Sequence, residues 1–309
     1  MAEGELMTLG ELYSWGREEL QKNSVADAQL DAWYLLEYVS GVSRAMYYAY
    51  PEKELAESDA EHYRSLIRKR AERIPLQHLT GSQEFMGLEF KVNDSVLIPR
   101  QDTEILVEHA LEMLQRGMVP SGQRGTAILD MCTGSGCILL SVLAHAGRSS
   151  RAGCPSSVGV GKKEDYFIVG TGADISAEAL VVAEENSRRL GIQASFVQGD
   201  LFENISGRYG MILSNPPYIR TDEIAKLQDE VRLHDPLIAL DGRKDGLYFY
   251  RRITEDAEAF LEHGGVLMFE IGCDQAEAVS ALMEQNGYKN VTVKKDLAGL
   301  DRVVSGVLQ

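Results

Sequence analysis

Residues 127–140 read AILDMCTGSGCILL and carry the strongest indication of the fold. The opening residues are apolar and end on Asp130, which is typical of a buried strand. Gly134 and Gly136 lack a Cβ, so the backbone there can come close to a ligand. The apolar run that starts at Cys137 suits a helix. The segment therefore predicts a strand, a glycine loop and a helix, the unit from which open α/β sheets are built.

After this unit, β-rich runs alternate with helical stretches. The runs are 127–130, 167–173, 195–197, 211–214 and 266–271, with final ones near 291–294 and 303–308. Strands that alternate with helices predict a parallel α/β sheet. Residues 147–165 interrupt the pattern, because they are rich in Ser and Gly and have no apolar period. We expect an exposed, mobile loop there.

Before the sheet, the sequence predicts a small all-helical domain and a linker. Residues 1–75 predict helices, and residues 76–98 predict a β-hairpin, since apolar residues there lie among glycines and an Asn-Asp-Ser turn. The α/β domain then covers 99–309. Three pairs in the helical domain have capping-box spacing: Thr8 with Glu11, Ser24 with Asp27, and Ser58 with Glu61.

The charge balance disfavours a nucleic-acid substrate. The formal net charge is −16, whereas proteins that hold DNA or RNA need a basic face. One basic run, Arg68-Lys69-Arg70, predicts a solvated helix face or, alternatively, a docking patch for an acidic or RNA-bound partner.

The sequence contains neither a predicted membrane span nor a pattern of metal-binding cysteines. No apolar run approaches the roughly 18–20 residues of a membrane span, and the acidic N-terminus lacks the features of a signal peptide. We therefore expect a cytoplasmic protein. The cysteines have no C-x-x-C pair or zinc-ligand spacing, so no metal is expected; they are Cys132, Cys137, Cys154 and Cys273.

Carboxylates follow the second and third predicted strands. Asp174 is positioned to accept the ribose hydroxyls of a nucleoside, and Asp200 to accept an adenine amino group, with Leu201 or Phe202 against the ring. The glycine loop has neither a G-x-G-x-x-G spacing nor a P-loop lysine, so a phosphate cofactor is not favoured. Together these features indicate adenosyl binding.

The run from Asp130 to Gly136 resembles the first motif of class I S-adenosylmethionine-dependent methyltransferases. Cys132 stands where that pattern usually has a glycine. The resemblance implies S-adenosyl-L-methionine as cofactor, with S-adenosyl-L-homocysteine as product.

After the fourth predicted strand comes Ser214-Asn215-Pro216-Pro217-Tyr218. The prolines stiffen the loop. The side-chain oxygen of Asn215 and the backbone carbonyl of Pro216 can accept both hydrogens of a planar NH2 group, and Tyr218 offers a flat ring. Accepting both hydrogens returns electron density to a nitrogen that is otherwise a poor nucleophile. Adenine, cytosine and the glutamine side chain all carry such a group, so the motif alone leaves the substrate open.

Further segments narrow this choice. They are residues 75–81 (PLQHLTG), 84–88 (EFMGL), 97–104 (LIPRQDTE), 235–242 (DPLIALDG), 245–247 (DGL) and 296–302 (DLAGLDR). From about residue 8 to the end, the chain resembles the peptide chain release factor N5-glutamine methyltransferases. The resemblance implies a Rossmann-like seven-stranded methyltransferase sheet, a helical substrate-recognition domain and a β-hairpin linker. It also implies that the substrate is the glutamine of the Gly-Gly-Gln motif in class 1 release factors.

The resemblance also implies roles for individual residues. The cofactor positions are Cys132, Thr133, Gly134, Ser135, Gly136, Asp174, Asp200, Leu201 and Asn215. The substrate positions are Asn215, Pro216, Pro217, Tyr218 and Arg100, of which Asn215, Pro216 and Tyr218 are the catalytic candidates. Thr103 and Glu104 border the pocket, or else only begin a helix.

Other functions remain open at this point. The nearest is a glutamine methyltransferase that acts on a ribosomal protein. A DNA or RNA amino-methyltransferase is disfavoured by the charge. A non-catalytic adenosyl-binding module would leave the Asn-Pro-Pro-Tyr loop unexplained.

Overall fold

Two units make up the described part of the chain, which covers residues 7–122, 125–149 and 167–309 in a computed structural model. The helical unit comprises the residues up to Ser82 together with Gln228–His234. The sheet unit comprises Gln83–Leu227 and Asp235–Gln309.

The helical unit contains α1 (Leu9–Lys22), α2 (Ala28–Ser40), α3 (Arg44–Ala49), α4 (Glu57–Ala71), α5 (Leu76–Thr80) and α9 (Asp229–His234). Its core is formed by apolar side chains of α1, α2 and α4, among them Leu12, Leu35 and Ile67. The buried Tyr63 donates its hydroxyl to the carbonyl of Ala32 at 3.2 Å, so a polar atom in this core is paired.

Only one of the predicted capping boxes forms. The side chain of Thr8 accepts the N–H of Glu11, and the Glu11 side chain accepts the N–H of Thr8. The predictions for Ser24 and Ser58 were wrong, since α2 begins after Asp27 and α4 begins one residue before Ser58. Ser24 instead has left-handed backbone and closes the end of α1 with a hydrogen bond to Gln21.

The basic run is not a uniformly solvated face. Arg68 is exposed and pairs with Glu61 at 3.1 Å, but Arg70 is buried. Its Nε donates to Asp31 at 2.7 Å, and its guanidinium also contacts Glu230 at 3.2 Å. Arg70 is therefore a structural residue of the helical unit. The expectation of a solvated helix face was wrong for this residue.

The sheet unit contains a seven-stranded sheet in the order β5-β4-β3-β6-β7-β9-β8. Its strands are β3 (Thr126–Met131), β4 (Ile168–Asp174), β5 (Ser195–Gln198), β6 (Tyr209–Ser214), β7 (Leu261–Glu270), β8 (Tyr288–Lys295) and β9 (Asp301–Leu308). The first five are parallel, as expected, but β9 pairs antiparallel with both β7 and β8. A short connection joins β8 to β9, which favours a hairpin over a crossover.

Alternate residues of the strands enter separate cores. Leu129, Ile212 and Leu267 pack with α11 (Tyr248–Asp256) and α12 (Ala276–Gln285), whereas Ile128 and Met211 pack with α6 (Glu104–Gln115) and α7 (Cys137–Ser149). The remaining α-helices of the described residues are α8 (Ala177–Leu190) and α10 (Leu237–Leu240). Helices thus cover the sheet on opposite faces, which explains its nearly continuous apolar strands.

Chain order reverses at the centre of the sheet, which makes this the expected binding edge. From β3 the chain moves outward to β4 and β5, then returns to β6 on the other side of β3. In open α/β sheets, ligands bind at such a switch point, beyond the carboxyl ends of the strands.

Three other features complete the described fold. The hairpin is present as β1 (Ser82–Phe85) and β2 (Leu88–Lys91). The predicted loop at 147–165 begins inside α7, which extends to Ser149, and the rest of it lies outside the described residues. None of the helices in the described ranges has both the length and the apolar character of a membrane span.

Candidate active site

The loop after β3 curls back toward the end of β4. Cys132 and Gly134 both have left-handed backbone, with φ of 63° and 54°. The N–H of Thr133 donates to the carbonyl of Ala173 at 3.0 Å, which ties the loop to β4. Left-handed backbone costs a residue that carries a Cβ about 1–2 kcal/mol. This cost is the physical reason why glycine suits the position that Cys132 occupies here.

Asp174, the last residue of β4, holds the glycine loop. Its Oδ2 accepts the N–H of Gly134 at 2.9 Å, and its Oδ1 accepts the N–H of Ser176 at 3.0 Å. Burial raises the pKa of this carboxyl, while the hydrogen bonds from Ser176 and Gly134 act in the opposite direction. Each carboxylate oxygen has further acceptor capacity, so Asp174 can also accept hydroxyl groups of a ligand.

A cavity of about 220 Å³ opens at the carboxyl ends of β3, β4 and β6. The predicted site residues that line it are Cys132, Thr133, Gly134, Ser135, Asp174, Asp200, Leu201, Asn215, Pro217 and Arg100. The sequence did not single out Ile175, Ile238 and Tyr248, which line it as well. Most of the predicted residues are therefore brought together at one edge of the sheet.

Three predicted site residues are not among those that line this cavity: Gly136, Pro216 and Tyr218. Gly136 instead faces α8, where a Cβ would come within 3.3 Å of the Ala183 side chain. Pro216 is buried.

At the end of β5, Asp200 is exposed and already paired. Its two carboxylate oxygens accept from Nη1 of Arg252 at 2.9 and 3.0 Å. Leu201 lines the cavity with left-handed backbone, whereas the ring of Phe202 stacks on Phe260 with centroids 4.7 Å apart. Of the two candidates for contact with a base, only Leu201 is therefore at the cavity.

The carboxyl end of β6 is joined to the carboxyl end of β3 by a buried hydrogen bond. The hydroxyl of Ser214 donates to the carbonyl of Met131 at 2.7 Å. Asn215 follows at once, is partly exposed and lines the cavity, while Pro216 and Pro217 are buried. Fixed φ at both prolines limits movement of this loop.

Close packing fixes the backbone at Tyr218. Its carbonyl accepts Nε2 of Gln275 at 3.0 Å. A Cβ on Gly242 would lie 2.7 Å from Cα of Tyr218, and one on Gly246 would fall on the Tyr218 carbonyl oxygen. Burial raises the pKa of the Tyr218 hydroxyl to about 12, so it stays protonated at neutral pH. No sequence pattern predicted that Gln275 would contact this loop.

Residues 100–104, at and just before the start of α6, make contacts with the cavity and with the hairpin. Arg100 lines the cavity and donates to the buried carboxylate of Asp235 at 2.8 Å. Thr103 is buried and also lines the cavity. Glu104 accepts the N–H of Met86 at 2.7 Å, so it holds the hairpin turn rather than the cavity wall.

Sequence reasoning missed Glu270, the last residue of β7. Ser214 pairs with Phe269 in the sheet, so Glu270 lies beside Asn215. Burial raises the pKa of its carboxyl to about 7, while the neighbouring side chains of Thr103 and Asn215 act in the opposite direction. Its signal in the sequence was a lone carboxylate at the end of an apolar run, Val266 to Phe269.

Burial also raises the pKa of other ionisable groups around the loop. Asp130 is buried, accepts the Thr133 hydroxyl at 2.6 Å and has a pKa raised by burial to about 7. Burial raises the pKa of the Cys132 thiol well above its ordinary value, so this thiol is not a nucleophile. Within the described ranges, no group of His, Cys, Asp and Glu side chains has an arrangement that could hold a metal ion.

Known proteins match this chain along almost its whole length. The family described as PrmC N-terminal domain matches residues 11–81, and the one described as methyltransferase small domain matches residues 157–232.

Several relatives share the name release factor glutamine methyltransferase. The protein from Agrobacterium fabrum is 39% identical, with 94% of this chain and 93% of the relative covered. The protein from Geobacter sulfurreducens is 36% identical, with 98% and 97% covered. The protein from Moorella thermoacetica is 40% identical, with 96% and 97% covered.

Proposed function

The chain belongs to the release factor glutamine methyltransferase family, and from that premise we propose that it methylates the side-chain amide nitrogen of the Gly-Gly-Gln glutamine in class 1 peptide chain release factors. The methyl donor is S-adenosyl-L-methionine. The observation that carries the proposal is that Asn215, which opens the Asn-Pro-Pro-Tyr loop, and Asp174 line one cavity at the switch point of the sheet.

The residues of the cavity fit an adenosyl group. Asp174 has acceptor capacity for the ribose hydroxyls, and Asp200 lies at the next strand end, where it can accept the adenine amino group while it also pairs with Arg252. Leu201 and Ile175 supply apolar contact for the base. When bound, the donor supplies an electrophilic methyl group on a sulfonium sulfur.

Asn215 is the residue best supported for a role toward the substrate amide. It lines the cavity, and its side-chain oxygen can accept one amide hydrogen. The role of the Pro216 carbonyl as acceptor of the other hydrogen stays a prediction, because Pro216 is buried and is not among the residues that line the cavity. These acceptors orient the amide and keep its lone pair directed at the methyl group, and such positioning is a large part of catalysis in a displacement reaction. The role of Tyr218 as a flat surface against the amide stays a prediction.

A glutamine side chain is common on protein surfaces, so selection needs contacts away from the reacting atom. We assign this selection to the helical unit and propose a release factor as the protein partner, in the cytoplasm. The formal net charge of −16 supports a protein rather than a nucleic acid as substrate.

Transfer of labelled methyl groups tests this assignment. The full chain is incubated with S-adenosylmethionine labelled in its methyl group and, in separate reactions, with a class 1 release factor, a Gly-Gly-Gln peptide, ribosomal protein and DNA. We expect rapid labelling of the intact factor, slow labelling of the peptide and none of DNA. Faster labelling of ribosomal protein or DNA would overturn the proposed substrate.

A further inference from the structure

Glu270 stands behind the residues that face the cavity. Asn215 and Thr103 line the cavity and Glu270 does not, while the pairing of β6 with β7 places Glu270 beside Asn215. Its Oε2 is buried and has no hydrogen-bond partner among the described residues. A buried carboxylate is costly to keep, and nothing in the adenosyl site explains this one.

The position of Glu270 beside Asn215 matters because the two ends of an asparagine side-chain amide differ in hydrogen bonding. One end of the amide accepts hydrogen bonds and the other donates them. The substrate NH2 group is a donor and needs the accepting end of Asn215. In the reversed orientation the Nδ2 group of Asn215 would face it, and two donors cannot form a hydrogen bond. An ionised carboxylate only accepts, so it binds the Nδ2 end of Asn215 and turns Oδ1 away from itself.

We propose that Glu270 is a positioning residue that sets the orientation of the Asn215 amide, so that Oδ1 is held ready for the glutamine NH2 group of the substrate. The side chain of Thr103 also neighbours this carboxylate and lowers its pKa. The inference rests on the proposed function and deepens it, since it assigns the orientation of the acceptor to a residue that does not touch the substrate.

The charges around Glu270 make its ionisation responsive to pH. Burial and the carboxylate of Asp102 raise its pKa, and Arg302 lowers it, for a value of about 7. The hydroxyl of Tyr250 donates to the Glu270 backbone carbonyl at 2.9 Å, and burial keeps Tyr250 and Tyr218 protonated. The thiol of Cys137 is also kept protonated by burial. Once protonated, the Glu270 carboxyl has an O–H group that can donate to Oδ1 of Asn215. It can therefore bind the Asn215 amide in the reversed orientation.

The test compares Glu270→Gln, Asn215→Ala and the double variant, in single turnovers on intact release factor at saturating S-adenosylmethionine. Glutamine keeps the shape but can donate as well as accept, so turnover should fall roughly 10-fold to 100-fold, as for a misplaced reacting group. Because Glu270 acts through Asn215, the double variant should be no slower than Asn215→Ala alone. The control Glu112→Gln changes an α6 carboxylate that pairs with Lys294 at 2.7 Å, and it should leave the rate unchanged.

A second readout uses the wild-type chain alone and does not depend on the folding of a variant. The single-turnover rate should rise with pH through about 7, as Glu270 ionises. If Glu270→Gln folds, this rise should be absent from its profile.

The outcomes separate this inference from the proposed function. If wild type does not label the release factor, the function itself is wrong. If wild type labels it but Glu270→Gln turns over at the normal rate, or if the double variant is slower than Asn215→Ala, Glu270 does not position Asn215. A wild-type rate that is flat across about pH 6 to 8 would also overturn the inference.

Discussion

The side-chain amide of Gln275 donates to the backbone carbonyl of Tyr218 at 3.0 Å and to that of Gly246 at 3.3 Å. Gln275 immediately precedes α12, so a residue far along the chain fixes the end of the Asn-Pro-Pro-Tyr loop. The close approach is possible because Gly246 has no side chain.

We predict that Gly246→Ala destabilises the protein and slows methyl transfer. The residue has φ of 73°, and its new Cβ would lie 2.6 Å from Nε2 of Gln275. The matched control is Gly191→Ala, with φ of 66° and no atom within 4 Å of the new Cβ. The control should lose about 1–2 kcal/mol from backbone strain alone. The free energy of unfolding of Gly246→Ala, measured by denaturant unfolding, should fall by more than that of Gly191→Ala. Equal decreases in the two variants would show that the loop tolerates the contact.

The strand ends could be predicted from sequence, but the neighbours across the sheet could not. Asp174 and Asn215 were identified because each follows a predicted β-rich strand. Glu270 also ends a strand, yet its place beside Asn215 depends on the order of β6 and β7 in the sheet. Local signals failed in a similar way at Ser24, where closure of α1 decides the backbone.

Asp174 and Asp200 should contribute unequally to binding of S-adenosylmethionine. Asp174→Ala removes the acceptor for ribose and the anchor of Gly134, so affinity should fall by about 1.5–3 kcal/mol, the scale of hydrogen bonds to charged groups. Asp200 is exposed and shared with Arg252, so Asp200→Ala should cost less, about 0.5–1.5 kcal/mol. Calorimetry decides, with Asp222→Ala as a control for loss of one exposed carboxylate. The reverse ranking would reassign the ribose contact.

Asn215→Ala should separate catalysis from cofactor binding. Loss of one preorganised polar group typically lowers turnover on the order of 10²–10³, while the affinity for S-adenosylmethionine should change little. Single-turnover rates and calorimetry measure the two effects. The control Asn286→Ala removes an amide at the end of α12 and should leave turnover as it is. Parallel loss of binding and turnover would place Asn215 with the cofactor instead.

Asp130 should make the free protein less stable as pH rises. Its pKa is raised by burial from 3.8 to about 7, so in that window the folded state holds a proton that the unfolded state has released. The neutral carboxyl therefore contributes its full stabilisation below pH 3.8, the pKa in the unfolded state. This contribution is lost progressively as the pH rises to about 7, the pKa in the folded state. Relative to Asp130→Asn, the free energy of unfolding of wild type should fall by up to about 1.4 kcal/mol per pH unit. Denaturant unfolding at several pH values measures this difference, and a constant difference would contradict it.

The position of the new methyl group on the release factor is the decisive measurement of the proposed function. Intact class 1 release factor is incubated with the full chain and S-adenosylmethionine, digested, and sequenced by tandem mass spectrometry. We expect a single methyl group on the side-chain nitrogen of the glutamine in the Gly-Gly-Gln motif, and a yield at early times that is lower on the order of 10²–10³ when Asn215→Ala replaces the wild-type chain. A methyl group on any other residue, or an unmodified factor despite measured binding of S-adenosylmethionine, would contradict it.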